Sequence, residues 1–348
     1  MRCENSMQAG IISCGVYIPR LKIKREEYQK AWGYFSPRGI EEKSVPDFDE
    51  DSITMGAEAG SNALRNAGVD ASEVDAVYFA STSPPYAEKQ NASTIAVALG
   101  CRSDTATLDL TSSTKSGVSA LLSCLDFVSS GRGKTALVVA ADCPLADPST
   151  AVEHQLGAAG AAMVVGSERV GALLDGSYAV TRESIGERFR RGGESRLTRV
   201  DLGAYHEAVL EEAVSSCVNG VMRKLSRSPK DYDFIAFQGI EDAKALELTK
   251  KLEFEDKKVS ASLISAKIGD VGAASPLLAL SKILESASVG QRVLLCSYGP
   301  GAGADAASFV IEQKTKPAAG IGYEDYLARK EYIDYATYLK LRRSLGKN

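Results

Sequence analysis

The sequence predicts an α/β protein built from two similar halves, and three observations predict it. Short apolar runs recur along the chain, helical patterns separate them, and the runs of the first half have counterparts in the second. The runs lie at 10–16, 76–80, 136–141, 161–165, 234–237, 293–296 and 307–311, and they are rich in Val, Ile, Ala and Phe. A strand that is apolar at every position offers greasy side chains to both faces of its sheet, so the sheet should be covered on both sides. Helical periodicity follows at 52–67, 116–128, 205–225, 243–252 and 275–285. Strands alternating with helices define the α/β class.

The duplication is read from paired segments. DAVYFAS (75–81) resembles DFIAFQG (233–239), and KTALVVAAD (134–142) resembles QRVLLCSYG (291–299). GAAMVVG (160–166) and DAASFVIE (305–312) follow as third members. The halves are placed at 1–170 and 171–313. That unrelated α/β strands look alike stays open as the alternative. Two segments fall outside the repeat. Residues 182–199 carry six arginines (182, 188, 190, 191, 196, 199) with Gly192 and Gly193, and read as an irregular basic connection. The tail, 314–348, spaces Tyr323, Tyr326, Tyr332, Tyr335 and Tyr338 so that aromatics share one side of a helix, to pack on the core or on a partner.

Composition narrows the function. With 348 residues, 44% hydrophobic and 25% charged, the chain has the profile of an ordinary globular protein. A net charge of −4 argues against a nucleic-acid or anionic-membrane binder. No apolar run reaches the roughly 20 residues of a membrane span, and the N-terminus lacks a secretory pattern. The seven cysteines include no CxxC pair, so no zinc or redox motif is present and a reducing cytoplasm is the expected compartment. Only two histidines, His154 and His206, are available for proton transfer near pH 7.

Six stretches carry a family resemblance: GVYIPRLKI (15–23), EKSVPDFDEDSITMGAEA (42–59), STSPPYAEK (81–89), AAGAAMVVG (158–166), SYGPGAGADAASF (297–309) and YIDYATYLKLRR (332–343). Together they resemble archaeal-type 3-hydroxy-3-methylglutaryl-CoA (HMG-CoA) synthase, of the thiolase superfamily. The resemblance implies a thiolase-like five-layered αβαβα fold with two duplicated halves, and a dimer through the N-terminal halves. It also implies a condensation of acetyl-CoA with acetoacetyl-CoA. A cysteine at a strand-to-helix turn takes the acetyl group, a glutamate handles the methyl proton and a histidine polarises the acceptor carbonyl. A thiolate suits a helix N-terminus, whose dipole and free N–H groups stabilise it.

The matching positions here hold other side chains. The cysteine position is Thr114, a hydroxyl far less ionised than a thiol. The glutamate position is Thr82, and the histidine position is Gln238, which donates a hydrogen bond but cannot shuttle a proton at neutral pH. Ser112 and Ser113 are expected as helix caps, with Ser113 as an alternative nucleophile. On the substrate side the resemblance points to Gln155, Val200, Gly269 and Ser297. The family's CoA-phosphate lysine and arginine fall on Ala243 and Glu247, with Lys244 one step away. The arginine segment is a second candidate for CoA phosphate. Gly299–Asp305 is read as a tight turn rather than a dinucleotide loop, because it runs into a strand. Cys143 with His154 is a remote alternative pair, and His206 is expected at the surface.

The resulting expectation is a catalytically impaired, HMG-CoA synthase-like subunit of an acyl-CoA-processing complex. A CoA thioester is its ligand, with no permanent cofactor and no metal. Its partners would be a second copy or a thiolase-fold paralogue, and a small OB-fold/zinc-ribbon acyl-CoA-binding protein. The alternative is an active acyltransferase with a rewired Ser/Thr site. A working cysteine-dependent synthase would need a cysteine within 107–119, and none is there.

Overall fold

A computed structural model describes residues 8–37 and 39–343; Cys3 lies outside them. Nine strands form the central sheet: β1 (Gly10–Tyr17), β2 (Ala76–Ser81), β3 (Ala106–Thr111), β4 (Thr135–Asp142), β5 (Ala159–Gly166), β6 (Ala172–Val180), β7 (Phe234–Gln238), β8 (Arg292–Gly299) and β9 (Gly303–Ile311). Their order is β7-β8-β9-β6-β1-β5-β4-β2-β3. Outward from the middle, β1-β5-β4-β2 and β6-β9-β8-β7 repeat one pattern: antiparallel, antiparallel, parallel. The registers Ala76↔Ala136 and Phe234↔Val293 match the paired segments of the sequence. The halves join where Gly10 and Ile11 face Leu173 and Ala172. β3 extends the first half alone, and near the corresponding place in the second the chain makes the short 3-10 turns Asp256–Lys258 and Ser260–Ser262.

The strands are apolar throughout because both faces are buried, and the period of two sorts their residues into different cores. In β4, Ala136, Val138 and Ala140 enter a central core; Leu137, Val139 and Ala141 enter an outer one. In β8, Val293 and Leu295 face the same central core, and Leu294 and Cys296 a second outer one. The helices α1 (Ser116–Ser129) and α2 (Ser275–Ser286) fill the centre with Val118, Leu121, Leu125, Leu277, Leu280 and Leu284. Helices Ser52–Ala67 and Asn91–Leu99 cover one outer face. Helices Ala204–Lys224 and Asp242–Lys251 cover the other. The result is five layers, αβαβα. Asp51 starts the first outer helix through a capping box with Thr54.

The tail differs from a single aromatic-faced helix. It forms two short helices, Tyr323–Ala328 and Tyr335–Leu341, separated by a strand, Glu331–Tyr332, that pairs with Leu21–Lys24. The break arises because Asp334 caps a new helix, accepting from the Thr337 N–H at 2.7 Å. Tyr323, Tyr326, Tyr335 and Tyr338 are buried, while Tyr332 is 44% exposed. Residues 182–199 are mostly irregular, pinned by the pairing of Arg196–Leu197 with Leu145–Ala146 and by a bridge from Phe189 to Thr198. Among the described residues, no helix is long and apolar enough to cross a membrane.

Candidate active site

The strand-to-helix turn between β3 and α1 is held in a sparsely populated conformation. Ser112 has φ +73°, a left-handed value that a side chain resists. Thr114 is buried, and its hydroxyl donates to the Tyr298 carbonyl at 2.9 Å. Ser113 does not cap α1: Lys115 occupies that place without a side-chain cap, and the Ser113 hydroxyl accepts from the Lys115 N–H at 3.3 Å. Lys115 reaches Asp305 at 2.8 Å, and Ser119 donates to the same carboxylate oxygen at 2.6 Å.

Gln238 ends β7, directly opposite Ser297 of β8, which in turn faces Asp305 of β9. The alternation that sends Ala236, Leu295 and Ala307 inward puts these three on the central face. The Gln238 amide donates to the Ser262 carbonyl at 2.9 Å. The Ser297 hydroxyl is fully buried and has no hydrogen-bond partner among the described residues. Gly239, at φ +77°, lets the end of β7 close on the turn. A side chain there would strike the Tyr298 carbonyl and come within 3.4 Å of the Thr114 hydroxyl.

Thr82 donates its hydroxyl to Asp142 at 3.0 Å and its N–H at 2.8 Å. Asp142, at the buried end of β4, also accepts from the Ser81 hydroxyl (2.8 Å), the Ser83 N–H and hydroxyl (2.8 and 2.6 Å) and the Ala273 N–H (2.6 Å). Burial raises its carboxyl above the ordinary value against the pull of those donors and of the Arg188 charge. Asp142 was not among the sequence candidates. The one available signal was a charge closing the apolar run KTALVVAAD.

Gln155 and Gly269 are neighbours. Gly269, at φ +78°, places its α-carbon where a side chain would lie 2.8 Å from the Gln155 carbonyl, and that carbonyl accepts from the Asp270 N–H at 2.7 Å. The Gln155 amide donates to Glu241 at 2.7 Å. The arginine segment reaches this wall. Arg188 pairs with Asp270 at 2.5 Å, and Arg190 donates to the Thr82 carbonyl at 3.1 Å. Glu187 accepts from the Tyr298 phenol at 2.7 Å. Val200, just after that segment, is 47% exposed, with its N–H on the Gly186 carbonyl at 2.7 Å. Lys244 is engaged by Glu211 (2.8 Å) and Glu247 (3.0 Å).

The histidines lie in other surroundings. His154 stacks on Phe35 and packs on Tyr28, its Nδ1 accepts from the Ser36 N–H at 3.3 Å, and burial lowers it to about 4. Burial raises the Cys143 thiol. His206 is buried rather than at the surface, because residues 182–203 fold back and the Ile185 carbonyl lies 2.9 Å from its Nε2. A cavity of about 460 Å³ opens elsewhere, lined by Tyr17, Arg20, Glu50, Tyr326 and Arg329; none of Thr82, Thr114 and Gln238 lines it.

Chemically, the turn presents a hydroxyl whose proton rests on a main-chain carbonyl, which is no base at neutral pH. Five layers around two central helices, with a strained turn at the head of one of them, define the thiolase fold. The thiolase N-terminal domain family matches residues 44–143. Curated relatives named hydroxymethylglutaryl-CoA synthase include one from Methanopyrus kandleri, 33% identical over 98% of this chain and 99% of its own, and one from Pyrococcus horikoshii, 34% identical over 96% of both. The chain belongs to the HMG-CoA synthase family. Among solved structures, an HMG-CoA synthase complexed with CoA aligns at TM-score 0.86 and 21% identity, over 96% of this chain and 90% of that one. MvaS in complex with HMG-CoA aligns at 0.82 and 22%, over 97% and 92%.

Proposed function

We propose that this chain binds a CoA thioester on an HMG-CoA synthase scaffold without running the cysteine-dependent condensation itself. One observation carries the reading. At the nucleophile position a threonine hydroxyl is donated to the Tyr298 carbonyl, with no imidazole or carboxylate bonded to it. The other two positions support it, since Thr82 is bonded to Asp142 and Gln238 to the Ser262 carbonyl. Relatives solved with CoA or HMG-CoA support the ligand class.

Such a chain acts beside others. Its partners are a second copy or a thiolase-fold paralogue carrying the cysteine, and a small OB-fold/zinc-ribbon acyl-CoA-binding protein. The open edge of β3, with Leu108 42% exposed, supports pairing through the first half. The test is to incubate the pure protein with acetyl-CoA and acetoacetyl-CoA. The expected result is saturable thioester binding with no acyl adduct and no condensation product. Turnover by the isolated chain defeats the proposal.

A further inference from the structure

Arg188 is the charged residue of this region that leaves a buried donor without an acceptor. It lies between the two walls of the site. One guanidinium nitrogen is tied to Asp270, on the side of Gln155 and Gly269. Its charge also acts on Asp142, on the side of Thr82. The other terminal nitrogen, Nη2, is buried and has no partner among the described residues. Arginine stays protonated and its fork is rigid, so that nitrogen keeps its hydrogens and their direction. A buried N–H of a charged group without an acceptor is costly, so it calls for an acceptor, and a bound ligand is one that can supply it.

Such a ligand is constrained by charge. Asp270 already pairs with Arg188, Asp142 feels its charge, and Arg190, two residues further along the segment, spends a donor on the Thr82 carbonyl. A third carboxylate would meet repulsion from two others. A neutral acceptor with a strong dipole fits better. Resting on the CoA-thioester reading above, we propose that Arg188 is the positioning residue for the acyl group, its Nη2 donating to the thioester carbonyl oxygen. The donor comes from the arginine segment, not from the turn or from Gln238. It would let the site tell an acyl-CoA from a CoA lacking a carbonyl.

The test compares acetyl-CoA with S-ethyl-CoA, a thioether of nearly equal shape without the carbonyl, by calorimetric titration of the full chain. A hydrogen bond from a charged donor predicts about tenfold tighter binding of acetyl-CoA. Arg188→Lys keeps a cation for Asp270 but loses the second nitrogen. It should bring the two ligands to equal affinity while S-ethyl-CoA binds as before, and Arg188→Ala should do the same. Should both variants unfold, the wild-type comparison and the infrared carbonyl stretch of bound acetyl-CoA decide, a downward shift on binding being expected. Equal wild-type affinities, or a preference that survives in Arg188→Lys, overturn the assignment alone. Tighter binding of malonyl-CoA than acetyl-CoA, abolished in Arg188→Lys, overturns it in favour of a carboxylate ligand. If neither acetyl-CoA nor S-ethyl-CoA binds, the CoA-thioester reading falls and takes this assignment with it.

Discussion

Tyr335 donates its phenol to the Glu153 carboxylate, 3.1 Å from each oxygen, so the C-terminal helix is fastened to the residue two before Gln155. Arg342 adds bonds to the Cys143 and Pro144 carbonyls at 2.7 Å, next to Asp142. Lys43 lies buried between the Tyr28 and Tyr338 rings, 4.8 and 5.0 Å from their centres, and donates to the Glu153 carbonyl. Tyr335→Phe keeps the ring packing and removes one donor from a buried carboxylate. A loss of about 1–3 kcal/mol is expected in urea unfolding. Unchanged stability would show that the helix is held by packing alone.

The buried lysines set a pH dependence. Lys22 and Lys43 are both pushed down to about 7, first by burial and against the attraction of Glu42 and Glu153 respectively. Unfolded lysine titrates near 10.5, so between pH 7 and that value the unfolded chain binds more protons. Stability should therefore rise as pH rises from 7. The window closes near 9, where buried thiols such as Cys124 begin to ionise in the unfolded state only. Lys22→Met should flatten the rise, measured as unfolding midpoint against pH. His154 acts on the acid side: with its folded value near 4 against 6.5, stability should fall as pH drops through that interval.

Asp142→Asn tests the network behind Thr82. Asparagine turns an NH2 group toward a ring of N–H and O–H donors, leaving at least one of them facing another donor. About 2–4 kcal/mol of stability should be lost. Protection of the Thr82 and Ser83 amides in hydrogen exchange should fall with it. A variant as stable and as protected as the wild type would mean that the carboxylate is not the anchor.

The sheet was legible because its chemistry is local: a short all-apolar run rich in Val and Ala, such as 136–141, has the length and composition of a strand covered on both faces. The duplication was legible for the same reason, since Ala136 and Val293 occupy matching registers in matching runs. The bonds of the site were not. Arg188 meets Asp270 82 residues later, and Asp142 collects donors 60 residues before it and 131 after it. A helix-starting histidine reads as exposed until the irregular segment before it folds back over it, as residues 182–203 do over His206. The tail misread has a different cause, because tyrosine spacing carries no sign of the cap at Asp334.

The open edge of β3 gives a prediction about assembly. Leu108 is partly exposed on a strand that, among the described residues, has only β2 beside it. Leu108→Lys places a charge on that edge without touching the outer cores, and should shift a dimer toward monomer in light scattering at fixed concentration. A mass unaffected by the change would move the interface elsewhere.

Thr114→Cys puts a thiol at the head of α1, where the helix dipole favours the thiolate. The Tyr298 carbonyl loses a good donor, at a cost of about 1 kcal/mol, which a well-packed chain tolerates. Given acetyl-CoA, the variant should acquire an acetyl group on that sulfur, visible in the intact mass and absent from wild type. The adduct should then stall. Removing a methyl proton needs a base, and Thr82 has only a hydroxyl already bonded to Asp142; polarising an acceptor needs a free donor, and the Gln238 amide is bonded to Ser262. Acetyl transfer without condensation, on adding acetoacetyl-CoA, would separate the nucleophile from the proton chemistry. Full turnover in Thr114→Cys would instead show that the other two positions were never impaired.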